Sequence, residues 1–336
     1  MNIIEFNQHE QLPQLSIVCL TFNAESFVLD LISSFFAQDL IGSCEIIIGD
    51  DASQDDTVNL LTRMLEKSPC QARLIVRDDN VGPGQNWLEA IGLAKSQIIA
   101  YVDGDDYFLS SNKLSTDMEI FKKDSKINMV FGPAFKEVNG YCNGELRNVY
   151  KDWNPEKIDA EWVLKKGGGF YPTSTVVFRR AIFNDLPDWF FNTHCTGDLP
   201  LAVAALLNHG RIGYKSSTDV VYRVHNQSQT NSERSVFNTF RINTRKKDKN
   251  CDYYKLLQGA GLINQELCKE LMVKEEYIFF AKLFDVGVYK YCLKESLGTL
   301  SVKYLIRLYA KLIFVLAKNM HKSLSESFSR TNGSAF

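Results

Sequence analysis

The chain has 336 residues, 45% of them apolar and 23% charged, with a formal net charge of −2. These are the proportions of an ordinary globular protein, long enough for one large α/β domain and a smaller appendage. The near-neutral balance excludes the basic footprint of a nucleic-acid binder, and the eight cysteines, with no Cys-x-x-Cys pair among them, argue against structural zinc and for free thiols in a reducing compartment.

The N-terminal stretch Met1-Asn2-Ile3-Ile4-Glu5-Phe6-Asn7 lacks the basic start and sustained apolar run of a signal peptide. No stretch is long and apolar enough to span a bilayer, so a cytoplasmic protein is expected. Residues 15–20 read as a first buried strand, which ends in Thr21-Phe22-Asn23, and a helix follows from Ser26. Residues 45–49 form a second strand, ending in Asp50-Asp51-Ala52-Ser53-Gln54-Asp55-Asp56-Thr57, with a helix starting near Asp55. Residues 72–77 form a third, followed by Asn80-Val81-Gly82 and a helix that begins near Gln85 and contains Asn86. The fourth, residues 98–102, runs into Asp103-Gly104-Asp105-Asp106, with a helix from Ser111. Cys19 and Cys44 sit in or beside these strands, as small buried hydrophobes do.

Strand and helix alternate throughout this half, which implies a mostly parallel sheet with right-handed crossovers. Ligands of such sheets bind outside the carboxyl ends of the strands. Each polar cluster alone is explained by turn and capping chemistry. Four in register describe one crevice. Carboxylates crowded at a strand end repel one another unless a cation or a helix N-terminus neutralises them. Hard cations such as Mg²⁺ or Mn²⁺ take oxygen ligands and bind phosphates at the same time, so Asp103-x-Asp105 suggests a metal–diphosphate site.

Farther along, residues 128–135 read as one more strand and the Asn/Gly-rich residues 139–148 as an exposed hairpin or loop. Gly167-Gly168-Gly169 is either a closing loop or a plain connection. Asp198 precedes a helical run with Pro200 in its first turn, and is either a catalytic base or that helix's N-cap. His225 ends an apolar strand, as a ligand or as a structural histidine. The expected organisation is a catalytic domain over 1–235, with a nucleotide half at 15–130 and an acceptor half at 131–235. A C-terminal helical region covers 236–336. Within it, Lys303, Arg307, Lys311, Lys318 and Lys322 fall on one narrow helical arc of 302–324. Either a basic amphipathic helix on an anionic membrane surface or a helix packed on this chain or a second copy satisfies that pattern. A homo-oligomer is allowed by the second case.

Taken together, Thr21-Phe22-Asn23, Asp50-Asp51-Ala52-Ser53 with Asp55 and Thr57, Asn80-x-Gly82 with Asn86, and Asp103-Gly104-Asp105-Asp106 resemble the family 2 glycosyltransferases. Thr175-Val176-Val177-Phe178-Arg179-Arg180, Gly197-Asp198 and Tyr222-Arg223-Val224-His225 look like later landmarks of that family. The resemblance covers about two thirds of the chain. It implies an A-type nucleotide-diphospho-sugar-binding fold and an inverting transfer from a nucleotide-sugar, a UDP-sugar by preference, to a glycan or lipid-linked glycan. Such an enzyme would meet its acceptor in the cytoplasm or on the inner face of the cell membrane. Thr21, Phe22, Asn23 and Asp51 are then expected around the base, with Asn80, Gly82 and Asn86 beside the donor. Asp105 is the expected ligand of Mn²⁺ or Mg²⁺. Asp103 holds the ribose or shares the metal, Asp106 orients the loop or caps the helix, His225 adds a metal or diphosphate contact, and Asp198 is the base. The family often has Glu-Asp where this chain has Gly197-Asp198, leaving one acid. A sugar nucleotidyltransferase is disfavoured because Thr21-Phe22-Asn23-Ala24-Glu25 replaces a Gly-rich basic loop. A non-catalytic glycan-binding relative is disfavoured by the intact acids.

Overall fold

In the computed structural model, the described residues are 1–8, 11–184, 186–193, 197–225 and 236–285, the last with side chains over 243–279. The segment 302–324, Cys195 and Cys292 lie outside them. Two compact units are distinguished, one comprising Met1–Asn192 and the segment ending at His225, the other containing the helices from residue 236 onward.

The first unit is built on an eight-stranded sheet. In chain order its first half contains β1 (Asn2–Phe6), β2 (Leu15–Thr21), α1 (Val28–Phe36), β3 (Cys44–Asp50), α2 (Thr57–Leu65), β4 (Gln71–Val76), α3 (Pro83–Gly92) and β5 (Ile98–Asp103). A two-residue β6 (Tyr107–Phe108), α4 (Lys113–Lys123), β7 (Ile127–Phe131), β8 (Ala134–Val138) and β9 (Tyr141–Arg147) follow. Then come α5 (Ala160–Lys166), β10 (Val177–Arg179), α6 (Trp189–Asn192), α7 (Asp198–Leu206), β11 (Arg211–Tyr214) and β12 (Val220–Val224). The large sheet has the order β1-β4-β3-β2-β5-β10-β7-β11. The strands β4, β3, β2 and β5 are parallel, while β1 and β10 run antiparallel to their neighbours.

β2, β3 and β5 are buried on both faces, as the continuous β-branched and apolar runs require. Helix α1 presents Val28, Leu31, Ile32 and Phe35 to the core, at helical spacing. The chain steps from β2 to β3 to β4 in one direction, then returns to the other side of β2 with β5. This places the switch point between β2 and β5, where Leu20 pairs with Asp103. The glycine after that acid is needed for close approach: a Cβ on Gly104 would stand 2.5 Å from the Leu20 carbonyl oxygen.

One expectation is corrected here. The single strand read over 128–135 is two strands in two sheets, β7 and β8, separated by Gly132-Pro133. Proline cannot donate to a ladder, so the break falls there. β8 belongs to a small sheet of order β6-β12-β8-β9. Its hairpin with β9 turns through Asn139 (φ +50°) and Gly140 (φ +79°), the residue pair that such turns favour. The short β1 and β6 carry too little pattern to be read in advance.

In the second unit, α8 (Val236–Gly259) and α9 (Gln265–Asp285) form a helical pair. Asn250 and Tyr254 on α8 donate to the Glu275 carboxylate on α9 at 3.1 and 3.0 Å. Asn264 caps α9 by accepting from the Leu267 N–H at 2.8 Å. Among the described residues no helix is long and apolar enough to cross a membrane.

Candidate functional site

The carboxyl edge of the sheet gathers the polar clusters. At the end of β5, Asp103 accepts from the Tyr101 hydroxyl at 2.5 Å and the Thr173 hydroxyl at 2.6 Å. Its backbone N–H donates to Ser174 Oγ at 3.0 Å. Asp106 is buried, accepting from the Arg223 N–H at 2.8 Å and lying against Ser174 Oγ. Burial pushes the carboxyls of Asp103 and Asp106 above the usual range, with the Asp105 charge adding to both. Asp105 is half-buried, and its Oδ2 stands 3.0 Å from His225 Nε2 at the end of β12. The fold therefore brings together an acid and an imidazole 120 positions apart. Among the described residues no group of three or more potential protein ligands is gathered.

On the nucleotide side, two of the expected donor-binding residues turn their polar atoms inward. Thr21 is buried with its hydroxyl donating to Asp50 Oδ2 at 2.8 Å. Asn86 is buried too, its amide donating to the Gly49 carbonyl at 2.7 Å and accepting from Arg77 Nε at 3.1 Å. Both spend polar atoms inside the protein and hold the edge together. Asn23 (φ +50°) accepts from the Gln54 N–H at 2.8 Å and donates its own N–H to Ser53 Oγ at 2.8 Å, so the loops after β2 and β3 brace each other. Burial opposes ionisation of Asp55, yet hydrogen bonds from the Thr57 hydroxyl and the Glu25 and Thr57 N–H groups hold its carboxyl below the ordinary value.

Asp51, 4% exposed, accepts from the N–H groups of Val81 and Gly82 at 2.8 and 3.0 Å. Asn80 donates to the Asp51 carbonyl at 3.1 Å. Gly82 is required by its φ of +86° at the start of α3, and the space around its missing Cβ is open. Phe22 is 53% exposed, an aromatic face in water rather than a packed core ring.

Opposite these groups, Asp198 is the first residue of α7, preceded by Gly197 at the cap position. Its carboxylate is half-buried and accepts from the Leu199 N–H at 2.9 Å. The Gly-rich loop packs on it: a Cβ on Gly168 would stand 2.2 Å from Asp198 Cγ and Oδ2. Buried Tyr171 donates to the Asp198 carbonyl at 2.6 Å. Its phenol is pushed up by burial, then by the charges of Asp198 and Asp103, which places both acids within electrostatic reach of one ring. Tyr101, Thr173 and Ser174 were not legible as site residues, whereas Gly168 stands in the Gly-rich loop read as a closing loop or a plain connection. Thr173 and Ser174 carry only the signal of hydroxyls after Pro172, which turns and caps use equally.

The chain is similar to known proteins in sequence and in fold. The family model described as Glycosyl transferase family 2 matches residues 16–186. An uncharacterised protein of Mycobacterium tuberculosis is 26% identical over 230 residues, covering 63% of this chain and 59% of its own. Poly(ribitol-phosphate) beta-N-acetylglucosaminyltransferase TarS of Staphylococcus aureus is 24% identical over 218 residues, 64% of this chain and 36% of that one. The chain thus spans about a third to three fifths of these curated relatives. The crystal structure of S. aureus TarS 1-349 with UDP-GlcNAc matches with a TM-score of 0.53 at 16% identity, covering 95% of this chain and 92% of that one. Mannosyltransferase PcManGT from Pyrobaculum calidifontis, solved with GDP-Man and Mn²⁺, gives 0.53 at 13% identity, covering 94% and 84%.

Proposed function

We propose, for a chain that belongs to glycosyltransferase family 2, an inverting, metal-dependent transfer of a sugar from a UDP-sugar to a hydroxyl of a glycan or lipid-linked glycan. The observation that carries the reading is the meeting of Asp105 and His225 at the switch point, with the Asp198 carboxylate at the head of α7 on the acceptor side. A carboxylate oxygen and an imidazole nitrogen suit Mn²⁺, and Mg²⁺ less well. Asp105 and His225 would hold the cation, which when bound neutralises charge on a departing diphosphate. The Mn²⁺ and GDP-Man of the Pyrobaculum enzyme and the UDP-GlcNAc of TarS support the cofactor and donor class.

In this mechanism Phe22 offers a stacking face to uracil. Asp51, whose oxygens keep lone pairs beyond those used by Val81 and Gly82, accepts the pyrimidine N–H. Asp103, fixed by Tyr101 and Thr173, accepts from a ribose hydroxyl. Asp198 takes the proton of the acceptor hydroxyl. The acceptor oxygen then bonds the anomeric carbon as the bond from that carbon to the diphosphate oxygen breaks, and the electron pair leaves with UDP. One displacement inverts the anomeric centre.

We take residues 1–235 as the catalytic domain, acting in the cytoplasm, and assign any contact with an anionic membrane or a second copy to 302–324. The test of the function is a thermal-shift panel of UDP-GlcNAc, UDP-glucose and GDP-mannose with and without Mn²⁺, since a ligand of the folded state alone raises its stability. A UDP-sugar shift enlarged by Mn²⁺ is expected. Stabilisation by GDP-mannose alone, or by no nucleotide-sugar, overturns the reading.

A further inference from the structure

Arg223 is a buried cation that the chemistry above does not use, and it touches both segments that carry Asp105 and His225. Its side chain is 8% exposed. Nε donates to Glu137 on β8 at 2.8 Å, and one Nη donates to Asp30 on α1. The other Nη donates to the main-chain carbonyl of Asp105 at 3.3 Å, while the Arg223 backbone N–H fixes the neighbouring Asp106 carboxylate. The guanidinium is flanked by the ring of Tyr107, with centroid at 4.4 Å, and that of Phe27, at 5.3 Å. Phe27 in turn packs its ring 4.7 Å from the His225 imidazole. His225 also lies two residues beyond Arg223 in the chain.

A guanidinium presents five donors in a rigid planar fork. Here the fork fixes α1, β8 and the Asp105 loop relative to one another, and its stacked faces fix the ring that backs His225. A lysine at this position keeps the charge but reaches only one of the three acceptors at a time. Burying such a cation between two carboxylates brings little net stability, which leaves geometry as its contribution. We propose that Arg223 is a positioning residue for the metal pair: it sets the spacing of Asp105 and His225 at which a divalent cation is held. This rests on the metal reading of the site.

The test is Mn²⁺ titration of the full chain in the presence of UDP, with free Mn²⁺ followed by electron paramagnetic resonance. Groups that orient metal ligands are worth about 10–100-fold in affinity, so Arg223→Lys is expected to raise the Mn²⁺ dissociation constant about tenfold or more. UDP binding without metal is expected to stay at the wild-type level, a readout that general structural damage would move. Removing the fork leaves Glu137 poorly paired, so Asp30→Asn is the second variant. Asp30 is 61% exposed, and its loss loosens the guanidinium without burying an unpaired charge. A smaller weakening of Mn²⁺ binding is expected, at unchanged thermal stability. Wild-type Mn²⁺ affinity in a folded Arg223→Lys protein, or in Asp30→Asn if the first does not fold, overturns the positioning role alone. A wild-type protein that takes up no Mn²⁺ overturns the metal reading and this proposal with it.

Discussion

Gly168→Ala tests the assignment of Asp198 with a single methyl group. The added Cβ would stand 2.2 Å from Asp198 Cγ and Oδ2 and 2.5 Å from Oδ1, where ordinary carbon–oxygen contact needs about 3.4 Å. The backbone at Gly168 is outside the left-handed region, so alanine brings no conformational strain and slightly restricts the unfolded chain. The Asp198 carboxylate accepts from the Leu199 N–H and must leave that position by about 1 Å, a displacement worth on the order of 10²-fold in rate for a reacting group. The expected result is a folded enzyme with turnover down about 100-fold and metal-free UDP binding unchanged. Gly169→Ala is the control, since nothing lies within 4 Å of its Cβ; turnover near wild type is expected. Asp198→Asn sets the ceiling, at roughly 10²–10⁴-fold for a lost base. Steady-state turnover with a UDP-sugar and an acceptor glycan reads all three. Full turnover in Gly168→Ala alongside a dead Asp198→Asn would show that the loop does not hold the carboxylate in the reacting state. Full turnover in both would refute Asp198 as the base.

Asp105→Ala should abolish turnover and the Mn²⁺-dependent part of UDP binding while shifting stability by no more than about 0.5 kcal/mol, as for a loop-edge side chain; activity in excess chelator would contradict it. Phe22→Ala should leave the melting temperature unchanged, because the ring is exposed, and weaken UDP by about tenfold, the low end of what base stacking is worth; undiminished affinity by calorimetry rejects the stacking face. Burial pushes the Cys44 thiol up to about 12 and the Cys70 thiol up to about 11, whereas an unfolded thiol titrates near ~8.5. The folded state therefore keeps both protons longer. Its stability is intact below that unfolded value and falls as pH rises, by about 1.4 kcal/mol per pH unit for each thiol. Urea unfolding between pH 8 and 10.5 should show the fall, and Cys44→Ala should lower its slope by one thiol's share, because burial also pushes up the thiols of Cys19, Cys251 and Cys268 and these keep contributing. An unaltered slope rules out the assignment.

The sequence made the first half of the site legible because two signals coincide there. Buried parallel strands are continuous apolar runs, and each ends where a turn-forming polar cluster begins, so Asp51, Asn80 and Asp103 could be placed on one edge from pattern alone. What pattern does not encode is which way each polar atom faces. Thr21 and Asn86 belong to the same clusters, yet their polar atoms bond to Asp50, Gly49 and Arg77. The cluster motif is therefore partly a scaffold motif. The second half has no comparable signal. Gly132-Pro133 was absorbed into one strand because the apolar run continues across it. Thr173 and Ser174 reach Asp103 across about 70 positions, a distance at which two hydroxyls carry no periodicity.

The division of labour among the three acids follows from how each carboxylate is satisfied. Asp103 receives hydroxyls from Tyr101 and Thr173, and Asp106 receives the Arg223 N–H beside Ser174. These donors offset part of the burial that pushes both groups up. The Asp105 carboxylate has no such internal donors among the hydrogen bonds of the described residues; its contact is the His225 imidazole. A carboxylate between two other acids, left half-exposed with one imidazole nitrogen as its side-chain contact, is less fully compensated than its two neighbours. In the proposed reading a divalent cation would supply charge to both partners at once, because it would take the carboxylate oxygen and an imidazole nitrogen together. The protein satisfies Asp103 and Asp106 from within, and the proposed function gives Asp105 to the cation. That asymmetry favours Asp105 over Asp103 as the ligand, independently of any family resemblance.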